Sequence, residues 1–204
     1  MARSTQARSS DAPRDAVALL KQDHRLVESL FKQFSEAEEE EQSSLAERVC
    51  QMLTVHAQIE EEILYPAAKQ ALEEDEEKAE LVNEALVEHG SAKELIAKIE
   101  AMSVDDEAFK ATVTVLSEYI KHHVREEETE LFPQLKKTEL DLMELGARLS
   151  ERKHALMEEM GIEMEEEAPA ARQRAATSRT ARPRAAHTRS KSGNRRPRAG
   201  SSRH

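Results

Sequence analysis

Apolar residues recur at spacings of three and four along most of the chain, the period of a helix with one buried face. Val17, Leu20, Val27, Phe31 and Phe34 trace one such stripe, predicting a first helix over 14–35 after a Ser-Ser-Asp-Ala-Pro start signal. A second is predicted from Ser44, with Glu47 in capping-box register and Leu45, Val49, Met52, Ile59 and Ile63 as its stripe. Pro66 ends or kinks it, with a helical continuation over Ala67 to Leu72 as the alternative. A third covers 76–102 through Val82, Leu86, Ile96 and Ile99, interrupted by Gly90. A mid-helix glycine costs about 1 kcal/mol relative to alanine, so a close backbone approach is expected there. The fourth starts near 103–106, carries Phe109, Val113, Leu116, Ile120 and Leu131, and meets Pro133. The fifth starts at Thr138, with Asp141 three residues on, and ends near Gly161. Long helices joined by short connections predict an all-α, up-and-down four-helix bundle with the fifth helix packed outside it.

Composition narrows the picture. Aromatics are 3% of the 204 residues, with five Gly and six Pro, which argues against a β-sandwich or barrel. No run approaches the roughly 18 apolar residues of a membrane helix. The single cysteine, Cys50, excludes an internal disulfide framework and a cysteine-cluster zinc site, and reads as a small core residue. Residues 1–14 lack the apolar core of a secretory signal, so a cytoplasmic location is expected. Charge divides the chain further. Residues 15–167 carry 40 acidic and 16 basic side chains, whereas 168–204 carry ten Arg, one Lys and no acid. The expected plan is a disordered arm over 1–14, a helical body over 15–162 and a disordered Arg/Ala/Ser/Pro-rich tail over 163–204. Arginines in such a tail match phosphate geometry and would bind DNA, RNA or polyphosphate. The plainer readings are a solubilising tail, or one that folds back on the acidic body.

The chemistry lies in an internal repeat. His56-Ala-Gln-Ile-Glu60-Glu-Glu-Ile-Leu64-Tyr65-Pro66 aligns with His123-Val-Arg-Glu-Glu127-Glu-Thr-Glu-Leu131-Phe132-Pro133, 67 residues on. Upstream, Asp23-His24 corresponds to Glu88-His89. The body is therefore two similar helical hairpins. His24, His56, His89 and His123 each fall in the apolar stripe of a different helix, so each faces inward. Four residues on, a side chain is turned by only about 40°, so Glu60 and Glu127 face inward too. At five residues on, Glu61 and Glu128 turn roughly 140° away and are expected in solvent. The same phase selects His123 over His122.

A lone histidine on a core face is ordinarily a hydrogen-bonded core residue. Four histidines and two carboxylates in matching copies are a different case, because burying two carboxylates uncompensated costs several kcal/mol each. Cations held among them remove that cost. Imidazoles with bridging carboxylates suit a pair of borderline transition-metal ions, iron or manganese before zinc. Asp23 and Glu88 are candidates for orienting ring N–H groups of another helix, and Tyr119 for a hydrogen bond to a ligand. Tyr65 holds a slot that Phe132 fills in the other copy, so it reads as packing.

These residues resemble the hemerythrin-like, or HHE cation-binding, domain over about residues 15–160. The resemblance rests on Asp23-His24, Glu88-His89 and the doubled His-x-x-x-Glu-Glu-x-x-Leu-aromatic-Pro block. It implies a non-haem di-iron centre, with His24 and His56 on one iron, His89 and His123 on the other, and Glu60 and Glu127 as bridges. Oxygen, peroxide or nitric oxide would be its small ligands. Oxygen-carrying hemerythrins place a second histidine four residues along the third helix, where this sequence has Lys93. That departure favours a sensor or handler of oxygen, iron or reactive species, or an enzyme consuming peroxide or nitric oxide, over a reversible carrier. A third reading makes the basic tail primary, in a nucleic-acid-associated protein.

Overall fold

Asp15 opens the first helix, α1 (Ala16–Glu36), by accepting a hydrogen bond from the Ala18 amide. The computed structural model describes residues 14–162, so the expected tail, and the expected arm apart from Arg14, lie outside the described residues. α2 (Glu39–Ile59) runs into a wide π-helical turn at Glu60–Leu64 and continues as α3 (Tyr65–Leu72). α4 spans Glu76–Glu100. α5 (Phe109–Glu126) runs through a second wide turn at Glu127–Leu131 into α6 (Phe132–Leu135). α7 is Leu142–Glu159. The chain is all-helical among the described residues, as the periodicity predicts. Four rods enclose the core and α7 packs on α1, α2 and the first wide turn. No described helix is long and apolar enough to cross a membrane.

Several boundaries differ from the sequence reading, each for a local reason. α2 begins five residues before Ser44; Glu39, Glu40 and Glu41 fill its first turn, where the helix dipole favours acids. Ser44 caps nothing and donates to the Glu41 carbonyl. Residues 103–108 form turns, with the Asp106 carboxylate accepting from the Ser103 amide, and α5 starts only at Phe109. Asp141, not Thr138, caps α7, accepting from the Met143 and Glu144 amides. Thr138 instead donates to the Leu135 carbonyl at the end of α6. Gly90 meets no close neighbour, so the expected tight approach is absent there. Gly146 has one: a Cβ on it would lie 2.2 Å from the Arg14 carbonyl oxygen. That contact seats α7 against the start of α1. Gly161 ends α7 at φ 65°, a conformation that favours glycine.

Neither proline ends its helix. Pro66 and Pro133 lie in the first turn of α3 and α6. In the wide turns the Tyr65 amide bonds to the Glu60 carbonyl and the Phe132 amide to the Glu127 carbonyl. A five-residue hydrogen bond absorbs the extra residue, so the proline ring is accommodated without a break. Both wide turns begin at the inward glutamates.

Candidate metal centre

α1, α2, α4 and α5 bring His24, His56, His89 and His123 together in the core, each at most 5% exposed. The two wide turns add Glu60 and Glu127, 0% and 2% exposed. The rings associate in the pairs the repeat defines. His24 and His56 have centroids 4.9 Å apart, and His89 and His123 4.7 Å. Glu60 Oε2 lies 3.1 Å from His56 Nε2 and 3.5 Å from His89 Nε2. Glu127 Oε2 lies 3.2 Å from His24 Nε2 and 3.7 Å from His123 Nε2. Each carboxylate thus reaches one histidine of each pair. The donors fall into two groups within 4.8 Å, one of His24, His56, Glu60 and Glu127, the other of Glu60, His89 and His123.

The donor set fits metal ions on a direct observation. His24 Nε2, His56 Nε2, both Glu60 oxygens and Glu127 Oε2 are buried, close to one another, and without a hydrogen-bond partner. Buried polar atoms are nearly always paired, so this concentration of exceptions needs a cation to explain it. His89 Nε2 and His123 Nε2 also face each other at 3.1 Å. The protonation equilibria carry the same strain. Burial, with Glu127 beside it, pushes the Glu60 carboxyl well above its ordinary value. Burial works against Glu127 too, but His123 and His24 hold its carboxyl below the ordinary range. The two carboxylates cannot both ionise here without added positive charge.

A second layer fixes the rings. His24 Nδ1–H donates to Glu128 at 2.9 Å, His89 Nδ1–H to Glu61 at 2.9 Å, and His123 Nδ1–H to Glu88 at 2.7 Å. His56 Nδ1 faces Asp23 at 3.7 Å. Glu61 and Glu128 are held below the ordinary carboxylate range: burial opposes, and Lys93 with His89, and Lys21 with His24, outweigh it. An ionised carboxylate can only accept, so it fixes a proton on Nδ1 and leaves Nε2 as the ring atom that faces inward. Burial brings His89 down to about 4, helped by His123, and lowers His56. Both are neutral, ligating forms.

A sequence profile of the family described as the hemerythrin HHE cation binding domain matches residues 15–135. The chain belongs to this family. A solved HHE cation binding domain-containing protein from Mycobacterium kansasii superposes with a TM-score of 0.61 at 23% identity, covering 72% of this chain and 89% of that one. That likeness shows the fold. A protein from Nostoc sp. named as a DNA nickase is 30% identical over 115 residues, 56% of this chain and 31% of its own length. The chain therefore spans about a third of that relative.

Three features of this HHE domain differ from the sequence reading. Tyr65 is not mere packing: its hydroxyl donates to Glu127 Oε1 at 2.9 Å and lies 3.2 Å from His89 Nε2. Burial beside Glu127 and Glu60 raises it well above an ordinary phenol, so it stays a donor. In the other copy Phe132 stacks on His24, with centroids 5.8 Å apart. Glu61 and Glu128 are only partly in solvent, their side chains 26% and 30% exposed. At the flank of its helix, a long side chain reaches sideways to the next helix's histidine, a direction that an inward-or-outward phase argument omits. Tyr119 packs at the edge of the core, and no hydrogen bond joins it to the centre among the described residues. The other expected outcomes are local. Cys50 is a buried thiol that burial, with Glu100 and Glu47, pushes up to about 12. His122 is exposed, and Lys93 pairs with Glu61 at 2.6 Å. The four histidines, with Asp23 and Lys93, line one side of a cavity of about 20 Å³ whose other walls include Val27, Leu53, Ile96 and Ile120.

Proposed function

We propose that this HHE domain holds two iron ions and uses them to sense or handle oxygen, iron, or reactive oxygen and nitrogen species. The unpartnered, buried nitrogen and oxygen atoms facing one another carry this reading. His24 and His56 would hold one ion, His89 and His123 the other, with Glu60 and Glu127 between them. When bound, iron would supply one-electron redox chemistry and affinity for small ligands. The chain supplies the rest. Glu61, Glu88 and Glu128 orient three of the imidazoles by hydrogen bonds, and Asp23 faces the fourth. Tyr65 keeps its phenolic proton and directs it at Glu127 Oε1, a hydrogen-bond donor beside the place a small ligand would occupy. The cavity has room for about one or two water-sized groups, which suits a diatomic ligand. Peroxide or nitric oxide consumption is the enzymatic version of the same reading.

The histidines give the test. His56→Ala and His123→Ala should each lose about one of the two irons retained after desalting. His122→Ala and His154→Ala should retain both. Loss in His122→Ala but not in His123→Ala would contradict the proposal. A second reading, polyanion association through 168–204, draws on ten arginines in that segment and on the nickase name of the Nostoc relative.

A further inference from the structure

The four carboxylates that hold the histidines from outside are not equivalent. Three are each paired with a lysine: Glu128 with Lys21, Glu61 with Lys93, and Asp23 with Lys153. The fourth, Glu88, has no lysine or arginine partner among the described residues. Its Oε2 accepts from His123 Nδ1, and its Oε1 faces His122 Nε2 at 3.7 Å. His122 Nε2 also lies 3.1 Å from Glu126 Oε1, and the three donors fall within 4.8 Å of one another. Donors about 2.1 Å from a common ion sit ~3.0 Å apart at right angles and ~3.4 Å at tetrahedral angles; the His122–Glu126 separation falls in that range and the His122–Glu88 separation slightly beyond it. The His122 side chain is 61% exposed, so the cluster opens to solvent.

Beside the cluster, a cavity of about 10 Å³ is lined by Glu84, Glu88, Glu126 and Glu127 together with Leu81, Ala85 and Leu131. Glu127 is the buried bridging candidate whose Oε2 has no hydrogen-bond partner. Two carboxylates of the exposed His/Glu/Glu cluster thus share one cavity wall with an unsatisfied carboxylate of the centre. We propose that Glu88, His122 and Glu126 form a capture site for a divalent transition-metal ion on the α4–α5 face, from which ions pass along Glu127 into the buried pair. A cation there takes the place that a lysine ammonium takes at the other three carboxylates. The handover rests on the two-ion reading of the centre; the capture cluster itself stands on its own donors.

The test uses the full chain, stripped of metal and kept anaerobic, with cobalt(II) as the probe. Equilibrium dialysis counts the ions bound, and stopped-flow visible absorption follows loading of the buried histidines. The variant is His122→Ala/Glu126→Gln, which leaves Glu88 on His123. Wild type should bind a weak third ion beyond the buried pair. The variant should lose that ion and load the same pair at least about five-fold more slowly, by mass action on the missing site. An unchanged loading rate in the variant, with the pair still filled, overturns the capture site and leaves the centre intact. A wild-type chain that fills no buried pair overturns the centre, and the handover with it.

Discussion

Glu60 and Glu127 sit where two negative charges cannot coexist in the metal-free protein. Glu60 resolves the conflict by holding its proton, since burial raises its carboxyl well above the ordinary value. A carboxyl whose pKa is raised by folding costs stability above its unfolded value. The cost is absent below about pH 4.5 and grows as pH rises past it. Glu60→Gln removes that cost while keeping the shape. It should stabilise the metal-free protein by about 2 kcal/mol at pH 7, with no gain at pH 4. If the pair holds two ions as proposed, the substitution should also weaken the rise in Tm on metal loading, because a ligand oxygen would be lost. Thermal melts at both pH values, with and without metal, read both effects. An unchanged metal-free Tm at pH 7 would contradict the account of the pair. The six donors were legible as single residues because each repeats in register with an apolar stripe. Tyr65 was not: its role depends on Glu127, 62 residues away, and comparison with Phe132 concealed it.

At the scale of elements, helical phase carries over from sequence to structure wherever α-helical geometry persists. It selects His123, 3% exposed, over His122, whose side chain is 61% exposed. It fails in and after the wide turns, where the rotation per residue changes and Glu61 and Glu128 reach the neighbouring helices. The repeated aromatic-Pro pair was the available sign of those turns, but proline alone reads as a break. Helix starts were the least legible, because Ser44 and Thr138 have cap chemistry and are outcompeted by Glu38–Glu41 and Asp141. The fifth helix is more than a cover. Lys153 pairs with Asp23, which faces His56, and Arg152 pairs with Glu62 in the first wide turn. Its seat depends on Gly146. Gly146→Ala puts a Cβ into the backbone of Arg14 and Ala16, and should cost about 2 kcal/mol. A Tm equal to wild type would show that α7 is not seated by this contact.

The whole molecule joins an acidic helical body to a strongly basic segment, and that contrast is visible in composition alone. What 168–204 does lies outside the described residues. If it binds polyanions, removing it should abolish DNA binding. Binding by the full chain should weaken steeply between 50 and 200 mM salt, about ten-fold or more for several phosphate contacts. A mobility shift assay reads both, and equal binding by the truncated chain would contradict the polyanion reading.

The central claim is the paired metal centre. It is tested most directly by the metal content of the purified full chain after anaerobic loading with ferrous iron and desalting, with its absorption recorded in air and after reduction. The account predicts about two irons per chain and a near-ultraviolet band that bleaches on reduction. No iron retained would contradict it, and the buried histidines and glutamates would then need another explanation.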